Sequence, residues 1–282
     1  MADMLVFGYV AADRSSSETD RMAEVSIALG ALAGIEIVIL EAKSYDDLAR
    51  SMHAREVDFA WVPPIPFLAL ERRHEIVPLV SNHRDGAASY NSVLIVHASS
   101  LAYAPSDLEG QRAAWVDPRS AAGYVLPRIE LAEEGLDLRS FAAEKFFGSH
   151  DAVAAAVLEK RADFGATYAG FDADGGILRG PWMDLASGEE SVRVLAAFGT
   201  IPGDCIAARS DVPAPLREKL IGALVRVSHD KANRLLLRDV FGVDEFKRWT
   251  TGSYDGLREA TMTAANRGLL DGDEKRVDLF VA

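Results

Sequence analysis

The sequence lacks most of the features on which metalloenzymes and cofactor-dependent enzymes rely. Its single cysteine, Cys205, excludes an internal disulfide in a chain of 282 residues. No nucleophile elbow, Walker loop or dinucleotide fingerprint occurs, and we predict no cofactor. Metal-ligand spacing is also missing, so we predict no metal site. The histidines interpreted as surface or internally satisfied side chains are His53, His74, His83, His97 and His229.

Positive charge is scarce as well. The net charge is −13, from 30 basic and 43 acidic residues, and no block of lysine or arginine occurs. This balance argues against nucleic acid and anionic membranes as partners, but it allows a local site for a small anionic ligand. No apolar run reaches the length of a membrane span, so we predict no membrane insertion. The N-terminal residues lack the pattern of a signal peptide, which predicts a cytoplasmic protein as written, or a periplasmic one if a leader was trimmed.

What is present is a regular alternation of strands and helices. Apolar runs over 35–40, 90–97 and 162–168 predict strands, and helix-forming segments separate the strands of the first 80 residues. This order is typical of doubly wound α/β sheets with right-handed crossovers. Towards the C-terminus the pattern predicts mainly helices, over 213–230 and 243–270.

Two polar connections predict how the domains are arranged. They lie near residues 81–90 and 197–204, where an inserted domain would leave and rejoin the first one. We predict a discontinuous first lobe of residues 1–84 plus 200–282 and an inserted second lobe of residues 85–199. A ligand cleft would lie between the lobes, at the carboxyl ends of the strands.

The segment from Trp115 to Tyr124 is the first candidate site. An apolar strand runs into Asp117 and Pro118, and a helix-forming run starts at Ser120, a good N-cap. The N–H groups of the small residues after Ser120 would point out of the helix start, which attracts anions. Taken alone, the segment is also compatible with an ordinary strand-to-helix turn.

Eight short motifs, in order and with compatible spacing over roughly residues 4–226, resemble one known family. They are Tyr45-Asp-Asp-Leu, Val57-Asp-Phe-Ala-Trp61, Ser89-Tyr-Asn-Ser-Val-Leu-Ile-Val96, Asp107-Leu-Glu-Gly110, Asp117-Pro-Arg-Ser-Ala-Ala-Gly-Tyr124, Gly148-Ser-His-Asp-Ala-Val153, Arg161-Ala-Asp163 and Ile201-Pro-Gly-Asp204. The family is that of the substrate-binding proteins of phosphate, phosphite and phosphonate ABC importers. The resemblance implies a two-lobed type II periplasmic-binding-protein fold, with doubly wound sheets joined by a two-strand hinge that closes on the ligand.

The resemblance also implies roles for individual residues. Tyr45 matches an aromatic residue that closes over the ligand from the first lobe, and Tyr90 matches one that faces the ligand from the hinge. His150 matches a histidine that hydrogen-bonds the phosphonate oxygens. Ser120 matches the first hydroxyl of a Ser-Thr-Ser-Gly phosphate cradle, and Asp204 matches an acid that receives the ligand's amino group.

The chain departs from the family pattern at three positions. Ala121 and Ala122 stand where the cradle has its second and third hydroxyls, each worth about 1–3 kcal/mol to a desolvated oxyanion. The second amine-binding acid falls on Gly170, with Asp172 two residues further on. Arg119, beside the cradle, supplies a charge-assisted replacement or points to solvent. These departures argue against an aminophosphonate as the ligand.

Three functions remain from the sequence. The first is a non-catalytic binding protein, expected to be a monomer, that captures a small oxyanion for an ABC permease. The second is a cytosolic enzyme on the same fold, of the menaquinone- or thiamine-pyrimidine-pathway type, with His150 and Asp204 as an acid/base pair. A soluble ligand sensor is a third alternative. The motifs of those enzymes are not visible, so the binding protein is preferred.

Overall fold

The computed structural model describes residues 4–10, 16–84 and 86–269. The chain divides into two compact units: unit 1 contains the residues up to Ser89 together with Pro202–Ser253, and unit 2 contains Tyr90–Ile201 together with the residues from Tyr254 onward. Within the described residues the chain passes between units at three places. Two of these lie within strands, and the third lies between Ser253 and Tyr254.

The described residues form twelve strands and nine α-helices. The strands are β1 (Met4–Val10), β2 (Glu36–Ala42), β3 (Phe59–Val62), β4 (Ile76–His83), β5 (Ser89–His97), β6 (Arg112–Trp115), β7 (Ala143–Phe146), β8 (Phe164–Phe171), β9 (Ile177–Arg179), β10 (Val192–Pro202), β11 (Cys205–Arg209) and β12 (Glu245–Arg248). The helices are α1 (Ser16–Ala33), α2 (Tyr45–His53), α3 (Pro64–Arg72), α4 (Leu126–Glu133), α5 (His150–Leu158), α6 (Gly188–Ser191), α7 (Ala214–Val227), α8 (Lys231–Phe241) and α9 (Asp255–Asn266).

Unit 1 is built on a six-stranded sheet with the order β12-β4-β11-β3-β1-β2. Strand β1 pairs in parallel with β2 and β3, and β11 lies antiparallel between β3 and β4. Strands β1 to β4 therefore run in one direction, and their carboxyl ends meet at one edge of the sheet. Helices α1, α7 and α8 cover an apolar core in which Phe7 and Phe59 stack with ring centroids 4.8 Å apart.

Unit 2 has its own sheet, with the order β10-β5-β8-β6-β7 and with β9 added to β8. Strand β6 pairs in parallel with β7 and β8, whereas β5 runs antiparallel to β8. The carboxyl ends of three parallel strands and the amino end of β5 consequently share one edge. This edge is where the sequence places most of its candidate ligand contacts.

The C-terminal part of the chain belongs to a different unit from the one predicted. The prediction assigned all of residues 200–282 to the first lobe, but α9 packs against α4 of unit 2. Arg267 forms an ion pair with Glu133, with 3.5 Å between Nη1 and Oε1. In addition, Arg128 Nε donates to the carbonyl of Leu269 at 3.5 Å. These contacts hold the described residues after Tyr254 in unit 2.

The predicted helical block over 243–270 is also interrupted. Residues Glu245–Arg248 form β12, an edge strand that pairs antiparallel with β4 and places Phe246 opposite Asn82. Phe246 is 2% exposed and belongs to the core of unit 1. Pairing with an existing strand and burial of this ring outweigh the local helical preference, because a four-residue segment carries little intrinsic preference of its own. No helix in the described residues has the length and apolarity needed to cross a membrane.

Candidate functional site

The candidate residues of unit 2 lie together at one edge of its sheet. Ser120 follows the loop after β6, and His150 follows the loop after β7, the next parallel strand. Tyr90 lies at the amino end of β5, where Asn91 pairs with Ala169 near the carboxyl end of β8. Ligands of open α/β sheets bind outside the carboxyl ends of the strands, so this edge is the natural place for a site.

Ser120 caps the helix that begins at Ala121. Its backbone is extended, with φ −75° and ψ 119°, and its Oγ accepts the N–H of Gly123 at 3.0 Å. The first turn, Ala121–Val125, is a π-helix in which the N–H of Leu126 donates to the carbonyl of Ala121. The predicted helix start is therefore present, but its first turn is wider than an α-helical turn.

Pro127 explains the wide first turn. Proline has no N–H to donate to the carbonyls of Ala122 and Gly123, one turn earlier. Two other donors satisfy these carbonyls: the fully buried Ser92 donates its hydroxyl to Ala122 at 2.8 Å, and the N–H of Val116 donates to Gly123 at 3.1 Å. Buried carbonyls need such partners, and these two contacts hold the helix start against β5 and β6.

The two alanines have only backbone groups to offer an anion at this helix start. Ala121 and Ala122 are 5% and 1% exposed, so their methyl groups are buried. The first N–H groups of a helix have no acceptor within it and carry the positive end of the helix dipole. Arg119 is half-buried, and its N–H donates to Asp117 Oδ1 at 2.7 Å in the preceding turn. The helix start thus has the chemistry of an anion seat with one hydroxyl, from Ser120.

His150 begins the helix beside this seat. Ser149 is its N-cap and accepts the N–H of Ala152 at 3.1 Å. The imidazole Nδ1 lies 2.9 Å from the hydroxyl oxygen of Thr167. The ring of Tyr168 meets the imidazole nearly at right angles, with centroids 5.0 Å apart, and meets the ring of Tyr90 at 6.1 Å.

The loops that carry Ser120 and His150 are tied to each other. The N–H groups of Phe147 and Gly148 donate to the carbonyls of Trp115 and Val116, at 2.8 and 2.9 Å. Gly148 has φ 87°, a conformation that glycine adopts without steric cost. These bonds continue the β6–β7 pairing into the loops and bring both candidate segments to one place.

Sequence reasoning missed three residues at this edge: Ser92, Thr167 and Tyr168. Ser92 and Thr167 are fully buried polar residues on adjacent strands, and Tyr168 lies opposite Ser92 in the ladder. A buried polar residue in an apolar strand is a signal of hydrogen bonding. Only the pairing of β5 with β8 shows what these side chains contact.

The candidate residues of unit 1 also follow the carboxyl ends of parallel strands. Tyr45 is the first residue of α2, directly after the N-cap Ser44, whose Oγ accepts the N–H of Asp47 at 3.2 Å. Its side chain is half-buried. Asp204 lies between β10 and β11, at the same edge, because β11 is antiparallel to β3 and β4.

Asp204 has two partners within unit 1. Its Oδ2 accepts the indole N–H of Trp61 at 3.0 Å and lies 3.5 Å from Nη2 of Arg84. Arg84 also donates to the carbonyls of Phe241 and Gly242, at 3.1 and 3.0 Å, at the C-terminal end of α8. Burial raises the pKa of the Asp204 carboxyl above its ordinary value of 3.8, and Arg84 and Trp61 offset this effect only in part.

We expect Asp204→Asn to remove one component of the pH dependence of unfolding. The native carboxyl keeps its proton to a higher pH than the unfolded one, so its contribution to stability falls as pH rises from 3.8 through the raised pKa. Each unit of elevation corresponds to about 1.4 kcal/mol. Asparagine retains an acceptor for Trp61 and does not titrate. In urea denaturation, the unfolding free energy of the wild type minus that of the variant should fall with rising pH; a flat or rising difference contradicts the expectation.

The position that the resemblance assigns to the second amine-binding acid is Gly170, in unit 2. A Cβ added at Gly170 would lie 2.7 Å from Nε of Arg179, so a guanidinium occupies the space next to this glycine. Asp172 Oδ1 accepts the N–H groups of Asp174 and Gly176 at 2.9 and 2.7 Å, which makes it a turn residue. The described residues contain no group of histidine, cysteine and carboxylate side chains suited to hold a metal ion.

Comparison with known proteins decides the family. A family model described as ABC transporter, phosphonate, periplasmic substrate-binding protein matches residues 7–254. The chain belongs to this family. The family consists of periplasmic proteins that bind substrates for ABC transporters, and the chain has its mixed α/β, type II periplasmic-binding-protein fold.

The individual proteins that resemble the chain have low sequence identity to it. The chain is 27% identical over 146 residues to the phosphate-import protein PhnD of Mycolicibacterium smegmatis, which covers 48% of the chain and 46% of PhnD. It thus spans about half the length of that curated relative. A Xanthomonas citri protein bound to ATP has a TM-score of 0.76 at 21% identity, covering 100% of both chains. PhnD1 of Prochlorococcus marinus, in complex with methylphosphonate, has a TM-score of 0.74 at 17% identity and covers 93% of this chain and 98% of its own. At these identities the likeness shows the fold.

Proposed function

We propose that this protein captures a small oxyanion of the phosphonate or phosphate class and delivers it to an ABC permease. The observation that carries the proposal is the edge of unit 2, where the Ser120-capped helix start and the His150 side chain follow neighbouring parallel strands. A helix start supplies N–H donors and a positive dipole end, and a serine and a histidine add side-chain donors. Family membership supports the transport role.

In the proposed binding step, the oxyanion binds at the helix start of unit 2, with Tyr90 and Arg119 beside it. For Tyr45, in unit 1, we propose the ligand-covering role that the family resemblance implies. Support comes from the positions of the candidates in each unit, at the carboxyl ends of its parallel strands. All ligand contacts would come from a single chain, so the proposal requires no second copy and predicts a monomer. Family membership supports a periplasmic location.

Family membership favours binding over catalysis, and the two candidate acid/base groups each have contacts in their own unit. The enzyme alternative requires a proton-transferring pair of His150 and Asp204. Nδ1 of His150 is engaged by Thr167, and Asp204 is engaged by Trp61 and Arg84. Each group therefore has a structural partner in its own unit. A sensor would use the same binding step and would differ only in the partner to which it reports.

The proposed ligand has no ammonium group. The resemblance assigns two acids to the binding of an amine. At one of these positions the chain has Gly170, and at the other it has Asp204, whose carboxyl lies 3.5 Å from the guanidinium of Arg84. An ammonium group would have to share that carboxylate. We therefore expect 2-aminoethylphosphonate to bind no more than tenfold more tightly than ethylphosphonate.

A thermal-shift panel tests the proposed function. The panel contains phosphate, phosphite, methylphosphonate, ethylphosphonate, 2-aminoethylphosphonate, ethanesulfonate, acetate and ATP. At a hundredfold excess over its Kd, a true ligand adds about 2.7 kcal/mol and should raise Tm by roughly 5–10 °C. A shift with a phosphorus oxyanion supports the proposal. No shift with any phosphorus oxyanion of the panel, together with a clear shift from ethanesulfonate or acetate, would overturn the ligand class.

A further inference from the structure

Thr167 is buried next to the one histidine of the proposed oxyanion seat. It lies in β8, is 0% exposed, and its Oγ1 is 2.9 Å from Nδ1 of His150. Among the residues that the structure describes, this is the only hydrogen bond of the Thr167 hydroxyl. The next residue of the strand, Tyr168, packs its ring at 79° against the imidazole.

The number of available protons determines which group donates in this hydrogen bond. A threonine hydroxyl has one proton to donate, and a neutral imidazole has one N–H and one acceptor nitrogen. If Nδ1 carried the ring proton and donated it to Thr167, the buried hydroxyl proton would be left without an acceptor. If Thr167 donates to Nδ1 instead, both groups are satisfied. A buried donor without a partner is costly, so the second arrangement is favoured.

We propose that Thr167 is a positioning residue that holds the neutral His150 ring in the tautomer with its proton on Nε2. The ring then offers the ligand a donor, which matches the unprotonated oxygen of an oxyanion and disfavours a ligand that presents a hydroxyl proton there. This inference rests on the proposed function only for the identity of the ligand. Tyr168 complements Thr167, since its edge-to-face contact restrains the plane of the ring.

Thr167→Val and Thr167→Ser form a matched pair for testing this role. Valine has nearly the shape of threonine and lacks the hydroxyl, whereas serine retains it. Ring ¹⁵N NMR reports the tautomer directly, with the His150 signals assigned by their loss in His150→Asn. In the wild type and in Thr167→Ser, Nδ1 should have the shift of an unprotonated acceptor nitrogen and Nε2 that of a protonated one. In Thr167→Val this preference should weaken, so that the shifts of the two nitrogens move towards each other.

Binding of methylphosphonate, measured by calorimetry, provides the second readout. The weaker restraint on the ring should lower the affinity up to about tenfold in Thr167→Val, while Thr167→Ser should stay within about threefold of the wild type. A proton on Nδ1 in the wild type would overturn the inference, and so would an unchanged tautomer and affinity in Thr167→Val. The wild-type spectrum decides the tautomer even if Thr167→Val does not fold. It does so as well if no phosphorus oxyanion binds, in which case the proposed function fails separately.

Discussion

His150→Asn is expected to weaken oxyanion binding by about 10–100-fold and to leave the stability of the free protein close to that of the wild type. Asparagine places an amide oxygen where Nδ1 lies and therefore still accepts the hydroxyl proton of Thr167, 2.9 Å away in the wild type. It has no group at the position of Nε2. A hydrogen bond to a charged ligand contributes about 1.5–3 kcal/mol, which corresponds to this loss of affinity.

Two further variants make this result interpretable. His150→Gln places an amide near the position of Nε2 and should retain more affinity than His150→Asn. His97 lies at the far end of β5 from Tyr90, and its Nδ1 also contacts a hydroxyl, that of Ser99 at 2.8 Å. His97→Asn should bind like the wild type. Calorimetry gives Kd and urea denaturation gives stability; wild-type affinity in His150→Asn, or a large loss of its stability, would remove His150 from the site.

Gly123→Ala is expected to destabilise the chain by about 1–3 kcal/mol and to reduce oxyanion affinity at the same time. A Cβ at this position would lie 2.3 Å from Cγ2 of Val116 and 2.8 Å from the capping Oγ of Ser120. The strand cannot move away freely, because the N–H of Val116 donates to the carbonyl of Gly123 at 3.1 Å. The helix start that forms the proposed seat must therefore shift. Urea denaturation and calorimetry measure the two effects.

A second substitution separates this clash from a general effect of replacing glycine. Val116→Ala removes Cγ2, the nearest atom to the new Cβ, but keeps the Cβ of residue 116 at 2.6 Å, so the clash is relieved in part. The double variant should lose less stability than the sum of the two single variants, by about 1 kcal/mol. Gly199, in β10, has no heavy atom within 4 Å of an added Cβ, and Gly199→Ala should change stability by no more than about 0.5 kcal/mol. Additive effects at Gly123 and Val116 would contradict the proposed contact.

Local sequence patterns predicted most of the framework for a physical reason. A buried strand has to be apolar and a helix has to start with a cap, and both requirements act over a few residues. The predicted strands over 35–40, 90–97 and 162–168 correspond to β2, β5 and β8 within a few residues. Helix α9 could not be assigned in the same way, because contacts with α4, far away in the sequence, place it in unit 2.

Some features of the candidate site could likewise be predicted from local sequence, and others could not. The cap at Ser120 and the helix start at His150 are local features, and the structure has both. The roles in ligand binding stay predictions for all of the candidate residues: Tyr45, Tyr90, Arg119, Ser120, Ala121, Ala122, His150 and Asp204. For Asp204 the sequence had no means of showing its environment, since Trp61 is 143 residues away in the chain and Arg84 is 120 residues away.

By itself, the sequence determined the α/β alternation, the motifs that led to the family, and the capped helix start after Asp117-Pro118. Tertiary structure alone decided how that helix start is held. Ser92, 30 residues before Ala122, takes up a carbonyl that Pro127 cannot bond, and Thr167, 17 residues after His150, forms a hydrogen bond with its ring. Local pattern describes which backbone conformation a segment prefers. The partner of a buried polar group is set by strand pairing, which brings distant residues into hydrogen-bonding distance.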